Sequence, residues 1–383
     1  MRAVVVSADV GESHAQMAAA LVRELERRPD VEKVTLLNGF YILGRPLAGT
    51  LQRGFRFHVG RVKWSYDLAY HLFTRLRPAR RLGEAALRLL GGRALARALR
   101  PHHPDVVVST YPVMNPILAA LRSDGRLRCP AAAVVGPLGG LAFWVQPGLD
   151  LHLMLYPEAI DAARELAGPI AAQPVRPLVD PAFFEPLSQA RAQEVLGLDP
   201  DARHVLISGG GWGVGDLAGA IDAALTIAGT HVIALTGRGR EGREALERRH
   251  AGDPRVSVLG FTQQMRDFLC AVDAFVTTTA GISCLEARLC GTPTICYGFH
   301  VGHVRDNVRA LRERGLADVA TSPGQLRSAL EARLGGARIP APALGGLPSG
   351  AELTVKLARG EIDAAPRVKA SDGPAAPVAI ASS

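Results

Sequence analysis

Apolar residues fall into short runs separated by helical periods, and the alternation recurs through most of the chain. In the first half the runs cover residues 3–7, 33–37, 105–109, 131–135 and 151–155; in the second they cover 204–208, 231–235, 256–259, 274–277 and 294–297. Such short apolar runs bounded by turn residues are what strands buried on both faces of a parallel sheet look like. Between them, apolar positions three and four apart, as in Met17, Leu21, Val22 and Leu25, predict crossover helices. Each half opens with a strand, a Gly-bearing turn and an amphipathic helix. The pattern predicts an α/β protein of two Rossmann-like domains built on parallel sheets. Ligands of such sheets sit beyond the carboxyl ends of the strands, so two domains facing each other are expected to enclose a cleft.

The segment 174–200 carries five prolines and no long apolar period. A first domain is therefore expected over residues 1–184, a linker over 185–200, a second domain over 201–345, and a C-terminal helix with a disordered Ala- and Pro-rich tail over 346–383. A length of 383 residues allows two cores, and 48% hydrophobic with 21% charged residues is a globular composition. The opening Met1-Arg2-Ala3-Val4-Val5-Val6 enters a strand directly and predicts no signal peptide. The apolar stretch 131–147 is broken by Pro137, Gly139 and Gly140 and is too short to span a bilayer. Five cysteines without metal-like spacing suit a reducing compartment, hence the cytoplasm.

The net charge of +8 is carried almost wholly by Arg. Between Arg53 and Arg100 about a dozen Lys or Arg face two acids, interleaved with Phe55, Phe57, Trp64, Tyr66, Tyr70 and Phe73. That stretch reads either as a solvated basic face or as contact with an anionic membrane surface, which would place the protein peripherally on the inner face of the cell membrane. No recognition motif accompanies the charge, and nucleic acid is not an expected partner.

Three turns carry candidate chemistry. The first, Ser7-Ala8-Asp9-Val10-Gly11-Glu12-Ser13-His14, has a capping-box spacing at Ser13 and Gln16, which puts His14 in the first helical turn. The dipole there disfavours the imidazolium, so His14 is either a neutral general base, oriented by Glu12 or Asp9, or a locally packed residue. The second, Ser208-Gly209-Gly210-Gly211-Trp212-Gly213, follows a strand; Gly210, Gly211 and Gly213 allow close backbone approach to a phosphate or sugar, or simply form a turn. The third runs from Gly260, Phe261, Thr262 and Met265 to Thr279-Ala280-Gly281-Ile282-Ser283, a small-residue turn opening a helix that bears Glu286. There Glu286 is either a ligand for ribose hydroxyls or a favourable charge near a helix start.

These turns, with Pro104-Asp105-Val106-Val107-Val108-Ser109-Thr110, Pro174-Val175-Arg176-Pro177 and Gly291-Thr292-Pro293, resemble the monogalactosyldiacylglycerol synthase and processive diacylglycerol glucosyltransferase family, and more distantly the peptidoglycan lipid-linked N-acetylglucosaminyltransferase. The resemblance covers most of residues 1–335 and implies the GT-B fold. It implies an inverting, metal-independent, cofactor-free transfer of a hexose from a UDP-sugar to a lipid or other hydroxyl acceptor, with the acceptor in the N-terminal domain. His14 matches the base, Gly260-Phe261 the uracil loop, Ala280 to Ser283 the diphosphate turn, Glu286 the ribose ligand, and Asn307 the end of the sugar-side motif. The family's Gly-Gln-Glu is replaced by Gly302-His303-Val304, and its Lys-Ala-Gly-Pro-Gly-Thr turn by Thr278-Thr279-Ala280-Gly281-Ile282-Ser283. The first change makes His303 the polar residue near the sugar and leaves the sugar unspecified. Two other readings keep the fold: a UDP-sugar 2-epimerase or hydrolase, and a non-catalytic nucleotide-sugar-binding protein.

Overall fold

A computed structural model describes residues 1–8, 12–42, 44, 67, 70–72, 76–298 and 300–362. The chain forms two compact units. The first comprises residues 1–10, 14–178 and 346–383, and the second comprises 11–13 and 179–345.

In the first unit six parallel strands, β1 (Arg2–Ser7), β2 (Lys33–Asn38), β3 (Val106–Ser109), β4 (Ala131–Val135), β5 (Leu151–Met154) and β6 (Ala172–Pro174), lie in the order β2-β1-β3-β4-β5-β6. Val4, Val5 and Val6 of β1 and all of β3 and β4 are buried, because helices cover both faces of the central strands. The strand order reverses between β1 and β3, with Val6 in register with Ser109, so the carboxyl ends of these two strands flank the crevice where ligands of such sheets bind. Among the described residues, the helices of eight residues or more before β6 are α1 (Glu12–Glu26), α2 (Arg77–Leu99), α3 (Asn115–Ser123) and α4 (Ile160–Ala167). Buried Met17, Leu21 and Leu25 fix the inner face of α1. Below the sheet, Arg122 makes two 2.6 Å bonds to Asp150, which also accepts the amide of Ala131 at 2.7 Å.

The second unit repeats the plan. Strands β7 (Arg203–Ser208), β8 (Thr230–Leu235), β9 (Val256–Leu259), β10 (Ala274–Thr277), β11 (Thr294–Tyr297) and β12 (Asp318–Ala320) lie in the order β12-β11-β10-β7-β8-β9, all parallel. Its reversal falls between β7 and β10, where Ser208 pairs with Thr277. The helices are α5 (Gln189–Leu196), α6 (Leu217–Leu225), α7 (Arg240–Arg249), α8 (Met265–Ala271), α9 (Ile282–Leu289), α10 (Gly302–Glu313) and α11 (Pro323–Arg333). Residues 185–200, expected as a linker, hold α5, which packs on α8 within the second unit. Ser188 caps α5 and Gly197, at φ +64°, ends it. The guanidinium of Arg338 donates to the carbonyls of Leu269, Cys270, Val272 and Cys290 and to the Thr292 hydroxyl, at 2.7–3.0 Å, tying the end of α8 to the end of α9.

The last helix, α12 (Gly350–Ala358), capped by Ser349, returns to the first unit and packs on β3 and β5. Glu24 holds it there by accepting from Arg176 at 3.0 Å and from the amide of Ala351 at 3.2 Å. The tail expected to be disordered lies, from residue 363 onward, outside the described residues.

Candidate active site

Helix α1 begins at Glu12, ahead of the cap expected at Ser13, and His14, from which the helix belongs to the first unit, stands in its first turn. Residues 9–11, with the Asp9 expected near the base, lie outside the described residues; the carboxylate of Glu12, also expected to orient His14, instead accepts from Arg238 at 2.6 Å. Nδ1 of His14 lies 3.0 Å from the carbonyl oxygen of Thr110. A carbonyl can only accept, so Nδ1 carries a proton, and in the neutral tautomer of such a ring the basic nitrogen is Nε2. The ring stacks on Trp144, with centroids 5.3 Å apart and planes at 25°, and meets Tyr111 edge to face at 5.0 Å and 88°. The carbonyl of His14 accepts from the hydroxyls of Ser7 at 3.2 Å and Thr110 at 3.4 Å. Ser7 ends β1, Thr110 and Tyr111 follow β3, and Trp144 follows β4, so the cluster sits at the carboxyl edge, beside the reversal of strand order.

In the second unit the turn after β7 packs on the turn after β8. Gly210 and Gly213 have positive φ of 67° and 63°. The Gly211 carbonyl accepts the amide of Arg238 at 2.9 Å, and a Cβ on Gly213 or Gly237 would run into the facing backbone carbonyls. Turn-on-turn packing therefore accounts for Gly213 and Gly237, whereas a Cβ on Gly211 would meet the Glu12 side chain. Gly260, Phe261 and Thr262 follow β9; Thr262 Oγ1 accepts the amide of Gln264 at 3.0 Å as the chain turns into α8 at Met265. The Arg238 guanidinium lies 3.9 Å from the Phe261 ring centre, a cation–π contact.

After β10, Thr277 Oγ1 accepts the amides of Thr279 and Ala280, both at 3.3 Å. Ala280 holds a left-handed φ of 45°, a conformation that costs an alanine about 1 kcal/mol, and Asn307 Nδ2 donates to its carbonyl at 2.8 Å. Gly281 caps α9, which starts at Ile282 with Ser283 in its first turn. One turn further, Glu286 is 8% exposed. Its carboxyl is pushed up to about 7, first by burial and then by the charge of Asp180. His303 is exposed near the start of α10. His300, in the loop between β11 and α10, is buried, which pushes it down to about 4, and its Nε2 has no hydrogen-bond partner among the described residues. A buried polar atom in that state is one that a bound hydroxyl or water would satisfy.

A family model described as monogalactosyldiacylglycerol (MGDG) synthase matches residues 14–173, and one described as glycosyl transferases group 1 matches residues 212–333. The spinosyn rhamnosyltransferase SpnG, solved with thymidine diphosphate, superposes with a TM-score of 0.59 at 16% identity, over 93% of this chain and 100% of that one. MurG of Acinetobacter baumannii superposes with a TM-score of 0.55 at 15% identity, over 92% and 97%. The chain is a GT-B glycosyltransferase. It is also 21% identical over 326 residues to a processive diacylglycerol beta-glucosyltransferase of Staphylococcus aureus, covering 84% of this chain and 81% of the relative. In fold this glycosyltransferase is similar as well to the S. aureus MnaA–UDP co-structure, with a TM-score of 0.53 at 13% identity over 86% and 87%.

The structure brings His14 together with residues that sequence reasoning did not assign, namely Tyr111 and Trp144, and Phe261 with Arg238. The pairing of His14 with Thr110 spans 96 residues of chain, and no local spacing encodes it. The one linear signal for Trp144 is a tryptophan after a glycine-broken apolar strand. Among the described residues no helix is long and apolar enough to cross a membrane.

Proposed function

We propose that this glycosyltransferase moves a hexose from a UDP-sugar to the hydroxyl of a diacylglycerol-like lipid, or of another hydroxyl acceptor, by a single inverting displacement. The reading rests above all on His14: its Nδ1 is held by the Thr110 carbonyl and its ring lies between Tyr111 and Trp144, in the half that matches MGDG synthase. The acceptor O–H gives its proton to Nε2 and the oxygen bonds to the anomeric carbon. The bond from that carbon to the diphosphate oxygen breaks, and its electron pair leaves with UDP. The first-turn amides of α9 and the positive end of its dipole offset the charge on the leaving group, so no metal or cofactor is required. Glu286 accepts the ribose hydroxyls, Phe261 and its neighbours flank the base, and His303 and Asn307 lie on the sugar side. The S. aureus relative's name supports the lipid acceptor, and the MnaA–UDP likeness supports a uridine nucleotide.

A lipid acceptor calls for a membrane-facing surface, and the exposed side of α2 supports that role. Leu82, Leu89 and Leu90 are 72%, 80% and 68% exposed, and residues 77–100 carry seven Arg against one Glu. Exposed apolar side chains flanked by Arg suit an anionic lipid surface. Most of the aromatic stretch expected to share that role, Phe55 to Tyr66 and Phe73, lies outside the described residues.

The test is product analysis by mass spectrometry, with purified protein, a panel of UDP-sugars and diacylglycerol in mixed vesicles. The proposal expects a hexosyl lipid and UDP in equal amounts. Free sugar or its epimer without acceptor would favour the epimerase or hydrolase reading, and tight UDP-sugar binding without turnover on any acceptor would make the chain a binding protein.

A further inference from the structure

Trp144 is 7% exposed, and its backbone is clasped from two sides. Its carbonyl accepts from Asn115 Nδ2 at 2.8 Å and its amide donates to the Leu141 carbonyl at 2.9 Å. Asn115 is itself completely buried at the start of α3. With the backbone so held, the indole lies stacked against the His14 ring.

We propose that Trp144 is a positioning residue for His14 whose indole face stabilises the imidazolium formed as His14 takes up the acceptor's proton. The proposal rests on His14 being the base. The Nδ1 partner is the Thr110 carbonyl, which orients the ring and contributes a dipole but no negative charge. The positive charge that arrives on the ring lies 5.3 Å from the indole centroid with the planes near parallel, within the roughly 6 Å over which a cation is attracted to an aromatic face. Tryptophan is the strongest of the aromatic partners, and burial strengthens the attraction. Stacking thus fixes the ring plane, the carbonyl fixes the tautomer, and the indole favours the product of proton transfer. Of the groups beside His14, Ser7 and Thr110 carry hydroxyls and Tyr111 after β3 is titratable, while the carboxylate of Glu12, on the same helix, is engaged by Arg238 at 2.6 Å. Asp9 precedes the helix outside the described residues.

The experiment follows the His14 imidazole by NMR titration in the full chain, in a Glu12→Gln background so that the acid on α1 does not mix into the curve. Trp144 is replaced in turn by Phe and Leu, and separately carries 5-fluoro- or 5,7-difluorotryptophan, which keeps the shape of the indole and weakens the negative charge of its face. The expected result is a His14 pKa that falls stepwise with fluorination and by about one unit in Trp144→Leu, with Phe between. In the Glu12-containing enzyme the acid limb of the kcat profile moves to lower pH, and the maximal kcat falls about tenfold while KM for the sugar nucleotide is unchanged. A His14 titration that ignores fluorination, or a rate loss without a change in that titration, overturns the proposal. Because the titration needs no substrate, it decides the role of Trp144 even if no acceptor is ever turned over, and failure of the base assignment would show separately as full activity in His14→Ala. Should Trp144→Leu fail to fold, the fluorinated protein still decides it.

Discussion

Glu286 sits where a carboxylate is costly until something donates hydrogen bonds to it. Buried beside Asp180 and pushed up to about 7, it holds a proton in the unliganded protein over much of the range where free glutamate is ionised. Because its pKa is raised on folding, the stability it contributes is full below the ordinary carboxylate range and is lost as pH rises toward 7. Ribose hydroxyls donate to the ionised form, so UDP binding releases that proton. Calorimetry is expected to show UDP affinity weakening about tenfold from pH 8 to pH 6, and Glu286→Gln is expected to abolish that dependence, bind UDP more weakly at pH 8, and melt at a higher temperature there without ligand. A variant equal to the parent in all three would mean that the carboxylate is ordinary helix-start charge. Glu286 and His14 were visible in the sequence because each follows a strand and a small-residue turn. Trp144, Tyr111 and Arg238 were not, since their roles come from contacts made across strands.

At the scale of elements, the apolar runs located the ten longer strands to within a residue or so of where they lie. β6 and β12 escaped because three-residue edge strands contribute no recognisable run; Gln173 and Asp318 interrupt them and they pair on one side alone. Helix α5 looks like linker in the sequence because the prolines around it outweigh its eight residues, and only its packing on α8 assigns it to the second unit. Helix α2 has the clearest unexplained surface. Sedimentation with vesicles is expected to show binding to anionic but not zwitterionic lipid, weakened by salt and reduced several-fold by Leu82→Glu with Leu89→Glu, while transfer to a short-chain soluble acceptor is unchanged. Equal binding to both vesicle types, or none affected by the double change, would remove the membrane role from this helix.

At the scale of the whole molecule, two sheets of six parallel strands each reverse their strand order beside the candidate turns: β1 and β3 at His14, β7 and β10 at the glycine turn and α9. Parallel βαβ chemistry made that plan legible, since short buried strands leave continuous apolar runs. What the pattern could not supply was the return of α12 to the first unit, because a helix of nine residues near the end of the chain carries no sign of its partner until Glu24 and Arg176 are placed beside it. The central claim is that proton transfer to His14 drives glycosyl transfer, and its most direct test is the transfer rate of His14→Ala measured beside its affinity for UDP. The account predicts a loss of about a hundredfold or more in kcat with UDP affinity within about twofold of the parent. Near-parental transfer by His14→Ala would contradict it.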